Sequence, residues 1–449
     1  MWLVIVPMVL LFAIILLPIP KIGGNVIVGL LGAALAAAVL GGLAPREVLS
    51  ASIFGIDKLA WVIMLSIVGS VYAESQVRLG AMQTALDLFR ALFGRSSAGL
   101  VCAVMLTLVL SGSLLGDAIA AATVVGLLVI PTLSALKLSG ERIAVIIVMG
   151  AVIGSGMPPI SQSFYLAASF TGIEPGQVLG RAYATMGISV VVAMAVGAWL
   201  VRDVDSRTLL EAPAPLRQVV RRGWTTLVPM SLLLAIVVAA SLGFNIFTRT
   251  PLVAEGVAML QQVPILKGLA FRVVLAILVA LLVSLAFRRV REQGGALVAA
   301  GLRNVAKTVQ IQVCAGIMVG VFYQAGLIDT VQQATAELAP HLMALAGGLA
   351  TIAVGMLTGS QTTAQTLIVS MMAPALTHLG KDPAAVAAGA AHLAMAGQSM
   401  PPVGLTTFVV TGLVGGIIGI KVDPVKTMMM ALPVTLYFMS IGFAFWLLG

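Results

Sequence analysis

The sequence predicts an all-α polytopic membrane protein organised as an inverted-topology repeat, on three observations. Of 449 residues, 60% are apolar and only 9% charged, whereas soluble domains carry about 25% charged residues. Apolar runs recur along the whole chain, and a hydrocarbon core of about 30 Å takes about 20 helical residues to cross. The second half of the chain repeats the first at an offset of 243 residues with opposite expected sidedness. Buried in lipid, such runs satisfy their own backbone polar groups only as helices.

In chain order the runs are 3–17, 25–43, 59–72, 98–110, 119–136, 143–154, 182–200, 226–242, 273–287, 308–323, 342–357, 367–379, 384–395 and 428–448. The first lacks a basic leader and a small-residue cleavage site, so it reads as a retained helix rather than a signal peptide. Two helices are expected before Lys58, which opens the third. Residues 76–95 place Leu79, Met82, Leu86, Phe89 and Phe93 on one face and Arg78, Gln83, Asp87 and Arg90 on another, the pattern of an amphipathic interfacial arm. Arg303 and Lys307, ahead of the run at 308, are expected to snorkel to the surface.

Charge sets the orientation. The net charge of +9 reflects basic cytoplasmic loops rather than nucleic-acid binding. Arg202, Arg207, Arg217, Arg221 and Arg222, set against Asp203, Asp205 and Glu211, form one polar stretch, and Arg288, Arg289 and Arg291 form a second. The two runs between these clusters let both face the cytoplasm. Residues 244–267 and the turn 171–176 with Glu174 then lie outside or re-enter, while Lys421 and Lys426 lie inside.

Sliding the chain by 243 residues puts Gly116 on Gly359, Ala121 on Ala364, Thr123 on Thr366, Pro131 on Pro374, Gly154 on Gly397, 157–159 (Met-Pro-Pro) on 400–402, and Gly172 on Gly415, without a gap. Upstream, 68–72 matches 319–323 at an offset of 251. With Glu174 outside and Lys421 inside, equivalent points face opposite sides, the layout of many secondary transporters. The chain divides into N-terminal helices (1–57), a first repeat (58–200), a central loop with further helices (201–307) and a second repeat (308–449).

Each repeat carries two polar interruptions. A proline inside a helix frees carbonyls one turn back, and those oxygens with Ser and Thr hydroxyls suit a hard cation such as Na⁺. A new helix N-terminus aims amide donors at an anion. The candidates are Ser111, Gly112, Ser113, Asp117 and Thr123, then Gly154, Ser155, Pro158, Pro159 and Ser161. In the second repeat they are Gly359, Ser360, Gln361, Thr362, Thr363 and Thr366, then Gln398, Ser399, Pro401, Pro402 and Thr406. Asp117 reads both as an intramembrane functional acid and as a helix N-cap. No nucleophile or metal motif points to an enzyme, and Cys102, Cys314, His341, His378 and His392 show no ligand spacing. A repeat within one chain favours alternating access over a channel.

Residues 110–133, 154–161, 357–376 and 397–416, the last with its "PPVGL", resemble the large membrane subunit of TRAP transporters, in the wider ion transporter superfamily. The resemblance runs from about Val68 to the C-terminus. It implies Na⁺-coupled uptake of an organic carboxylate by an elevator mechanism across a bacterial inner membrane. Two re-entrant hairpins (96–135 and 341–380) and two broken helices (141–171 and 384–416) would slide against the remaining helices. It places the hairpin tips at 111–117 and 358–363 and the breaks at 154–161 and 398–406. It also implies a small membrane subunit and a periplasmic solute-binding protein as partners; a self-sufficient carboxylate transporter of the same superfamily is the alternative. The chain departs from the family where an acid is usual at the second tip and this sequence has Ser360, Gln361, Thr362 and Thr363. The Met before each Pro pair is a second departure.

Overall fold

The computed structural model describes residues 2–16, 25–204, 213–241, 244–327, 330 and 339–449. Residues 17 and 242, which close two of the apolar runs, and Asp205, Arg207 and Glu211 lie outside them. Every regular element among the described residues is helical, and seven helices are long and apolar enough to cross a membrane.

The N-terminal group is α1 (Trp2–Leu16), α2 (Val26–Leu40), α3 (Pro45–Lys58) and α4 (Ala60–Leu79). Three helices therefore precede residue 59, not two, and Lys58 closes α3 rather than opening the next helix. α3 escaped hydropathy because Arg46, Glu47, Asp57 and Lys58 interrupt it. It is held by close backbone approach: Ala51 and Gly55 lie against Gly316 and Gly320 of the long helix α16 (Gly294–Gln324). The proposed divisions at 57/58 and 307/308 thus fall inside α3 and α16.

The amphipathic stretch is also two pieces. α4 runs to Leu79, Gly80 turns at φ +80°, and α5 (Ala81–Phe93) follows. Positive φ carries no Cβ penalty at glycine. Met82 and Leu86 are buried, and α5 packs on α6 (Ser97–Leu115) and α11 (Leu216–Ser241).

The first repeat continues with α7 (Ala118–Ser134), α8 (Gly140–Gly156), α9 (Gln162–Thr171) and α10 (Gly176–Leu200). α12 (Ile246–Arg249), α13 (Pro251–Gln261), α14 (Arg272–Leu285) and α15 (Arg288–Arg291) lead to α16. The second repeat has α17 (Pro340–Thr358), then α18 (Gln361–Ala364), a π-helical turn (Gln365–Val369) and α19 (Ser370–His378) in one rod, then α20 (Pro383–Ser399), α21 (Leu405–Ile418) and α22 (Pro424–Leu448).

The repeat is visible in packing as well as in sequence. α6 packs on α8 and α10 as α17 packs on α20 and α22. The halves interlock: α9 lies on α19 and α20, and α21 lies on α7 and α8. One expected pairing changes. α9 closes on Gly172 (φ +72°) and α21 on Gly419 (φ +72°), so the structural partner of Gly172 is Gly419 rather than Gly415. α21 has 14 residues against 10 in α9, one further turn.

Ion pairs mark the two ends of the bundle. Arg142 at the start of α8 meets Asp203, just past α10, at 2.8 Å, and Glu141 faces Lys426 of α22 at 4.0 Å. The Arg142 guanidinium holds the Asp203 carboxyl below the usual carboxylate range. At the other end Arg181, near the start of α10, meets Asp382 before α20 at 2.6 Å, and Arg272 meets Glu174 at 3.2 Å. α10 joins these ends, so the equivalent helices α8 and α20 begin on opposite faces, and the repeat is inverted. The positive-inside rule expects the Arg142 end, next to Arg202 and Asp203, to be the cytoplasmic one.

Candidate functional site

Each hairpin turns on a glycine followed by a capping residue. α6 ends at Gly116 (φ +66°), whose N–H donates to the Gly112 carbonyl at 2.7 Å. Asp117 then opens α7 by accepting the Ala120 N–H at 2.7 Å. α17 ends at Gly359 (φ +63°), with its N–H on the Gly355 carbonyl at 2.8 Å, and Ser360 opens α18 by accepting the Thr363 N–H at 3.2 Å. Asp117 and Ser360 do the same local work at positions 243 apart. Only the first is ionisable.

The broken helices interrupt at 157–161 and 400–404, each around a Pro-Pro pair. The first break is tied to the first tip, since the Ile160 N–H donates to the Ser113 carbonyl at 3.0 Å. Its hydroxyls are engaged locally: Ser155 Oγ donates to the Val152 carbonyl at 2.8 Å and Ser161 Oγ caps α9 at Phe164 N, 3.5 Å away. The Pro159 carbonyl accepts the Tyr165 hydroxyl at 2.6 Å. Across the repeat, Ser399 Oγ donates to the Met395 carbonyl at 2.9 Å.

Between the tips lies a cavity of about 470 Å³. Of the candidate residues, Asp117, Gly359, Ser360, Gln361, Thr362, Thr363, Gln398 and Thr406 line it. Ser111, Gly112, Ser113, Thr123, Gly154, Ser155, Pro158, Pro159, Ser161, Thr366, Ser399, Pro401 and Pro402 are not on its wall. Gly112 and Gly154 instead let α6 and α8 cross closely, and Thr123 Oγ1 donates back to Ile119 at 2.8 Å. Ser155 and Ser161 therefore do not face Ser399 and Pro401 across an open site; their hydroxyls bond back to neighbouring backbone.

The sequence reading missed Gln162, Lys307, Thr308 and Ile311 of the wall. Gln162 directly follows Ser161, the last candidate of the first broken helix, and Lys307 announced itself only as a charge beside an apolar run. Three helix N-termini reach the cavity, those opening at Asp117, Ser360 and Gly404, an arrangement favourable to anions. Oxygen donors are also left over: Ser111 Oγ, Gln361 Oε1 and Thr366 Oγ1 are buried without a hydrogen-bond partner among the described residues. Unpaired buried oxygens are costly, and of these three residues Gln361 lies on the cavity wall.

No curated protein matches the chain by sequence. The family pattern of the tripartite ATP-independent periplasmic transporter, DctM component, matches residues 8–445. This chain belongs to the DctM family. Two solved structures share the fold of this DctM protein. The YdaH transporter of Alcanivorax borkumensis, described as having an unusual topology, superposes with a TM-score of 0.62 at 13% identity, over 90% of this chain and 88% of that one. MtrF of Neisseria gonorrhoeae, described within a class of antimetabolite efflux pumps, gives 0.58 at 15% identity, over 90% and 84%. As a DctM component the chain is the large membrane subunit of a TRAP-type secondary transporter, and its cavity lies between the two halves of the inverted repeat.

Proposed function

We propose that this DctM component imports an organic carboxylate together with Na⁺ across the bacterial inner membrane. It acts with a small membrane subunit and a periplasmic solute-binding protein. One observation supports the reading above others: both hairpin tips and residues of both broken helices converge on a single cavity against α16. Helix N-termini there favour the carboxylate. Asp117 and the unpaired Gln361 oxygen, both on the cavity wall, are suited to the cation, as oxygen donors for a hard ion. α6–α10 and α17–α22 form the moving body, and α1–α4, α11, α14 and α16 the stationary one, in an elevator motion.

The test is uptake into proteoliposomes containing this chain with a small membrane subunit and a solute-binding protein of the tripartite type. Uptake driven by an inward Na⁺ gradient is expected, and it stops when choline replaces Na⁺. Uptake that continues unchanged in choline removes the coupling, and full uptake without the binding protein removes the tripartite assembly.

A further inference from the structure

Among the described residues Lys307 is the one cation on the wall of the cavity, and it comes from α16 rather than from either hairpin. Asn304, Lys307, Thr308 and Ile311 recur at helical spacing, and all four face the tips: Lys307, Thr308 and Ile311 line the main cavity, while Asn304 and Thr308 line a smaller one that also reaches Asp117. Neither Lys307 nor Asp117, which also lines the cavity, makes an ion pair among the described residues. The two ionisable side chains therefore line one cavity without pairing with each other. Lys307 and Arg303 are both exposed, but only Lys307 lies on the cavity wall.

We propose that Lys307 supplies the counter-charge for the transported carboxylate, and does so from the stationary side, so that it acts only at the cytoplasmic end of the stroke. This rests on the elevator import reading given above. Neutral Ser, Thr and Gln side chains give hydrogen bonds but no charge, and an anion taken out of water needs an opposite charge nearby. Lys307 follows the basic cluster Arg288–Arg291 in the cytoplasmic part of α16, whereas residues 311–320 toward its other end are apolar apart from Gln312. Tips that slide along α16 toward that end leave the lysine behind. Anion preference is then a property of the inward-facing cavity rather than of the moving hairpins.

A test that needs no transported solute keeps this separable from the import reading. Thr362 lines the cavity on the second tip, so Thr362→Cys in the full chain reports the local potential. Its labelling rates in inside-out membrane vesicles are compared for an anionic (sulfonatoethyl) and a cationic (trimethylammonium-ethyl) methanethiosulfonate, after subtracting the parent chain with Cys102 and Cys314. Adding Lys307→Gln is expected to lower the anionic-to-cationic rate ratio on the order of threefold to tenfold, whereas Lys307→Arg retains it. A cationic rate that holds or rises shows that the variant still folds around the cavity. An unchanged ratio in Lys307→Gln overturns the proposal and returns Lys307 to anchoring at the interface, as does an equal fall in Lys307→Arg. Na⁺-driven uptake is unaffected as a question by either result.

Discussion

Gly112 of α6 and Gly154 of α8 touch backbone to backbone: a Cβ on Gly112 would sit 2.6 Å from the Gly154 Cα. The pair recurs at Gly355 and Gly397, where the same construction gives 2.7 Å. Small residues let membrane helices approach this closely, and here the crossings bring each hairpin against its partner broken helix just before the tip.

Alanine at Gly112 or Gly355 forces these crossings apart. Overpacking of this kind costs about 1–3 kcal/mol, so the thermal midpoint of the purified protein should fall in both variants. Gly187→Ala, where an added Cβ meets nothing within 4 Å, serves as the control. Equal midpoints for Gly112→Ala and Gly187→Ala would show that the crossing is not tight.

Asp117→Asn separates charge from capping. Asn caps helices as well as Asp does, so the tip keeps its hydrogen bond to Ala120 N and the fold survives. Apparent Na⁺ affinity in uptake is expected to weaken by on the order of tenfold, about 1.4 kcal/mol, with expression little changed. Ser360→Ala removes a cap worth about 1 kcal/mol and should lower both stability and Na⁺ affinity. Wild-type Na⁺ dependence in both variants would confine these residues to structural work.

Ser66 of α4 joins three elements. Its Oγ accepts from Gln312 Nε2 of α16 at 2.9 Å and from Gln162 Nε2 of α9 at 3.2 Å, and donates to the Val62 carbonyl at 2.9 Å. Ser66→Ala leaves two buried amides short of an acceptor, at about 1–3 kcal/mol. A double-mutant cycle with Gln312→Leu should show coupling, since removing both partners costs less than the sum of the single losses. Strict additivity in midpoint shifts would mean the bond contributes nothing.

α3 is the clearest case of what hydropathy could not see. Its fit to α16 runs through Ala51 and Gly55, residues that carry no apolar signal, and its ends are charged. Gly55→Leu therefore should unseat α3 and abolish recovery of folded protein from detergent, measured by size-exclusion profile. A normal profile would contradict the contact.

The repeat was readable because its markers are local. Gly116 and Gly359 are needed for positive φ, and the Pro-Pro pairs sit between helices that cannot continue through them. The slip from Gly415 to Gly419 was not readable, since a helix that is one turn longer changes no such marker. The direction of a hydroxyl was equally hidden: Ser155, Ser161 and Ser399 bond to backbone within their own helices, and nothing in the sequence distinguishes that choice from facing a cavity.

By itself, then, the sequence determined the membrane class, the inverted repeat and the positions of its four interruptions, because composition, periodicity and proline act over a few residues at a time. The tertiary structure decided which oxygens share a cavity and that Lys307 joins them. Those relationships depend on packing between helices some 190 to 240 residues apart, such as Asp117 with Lys307 and Ser360, and on the face each helix turns inward.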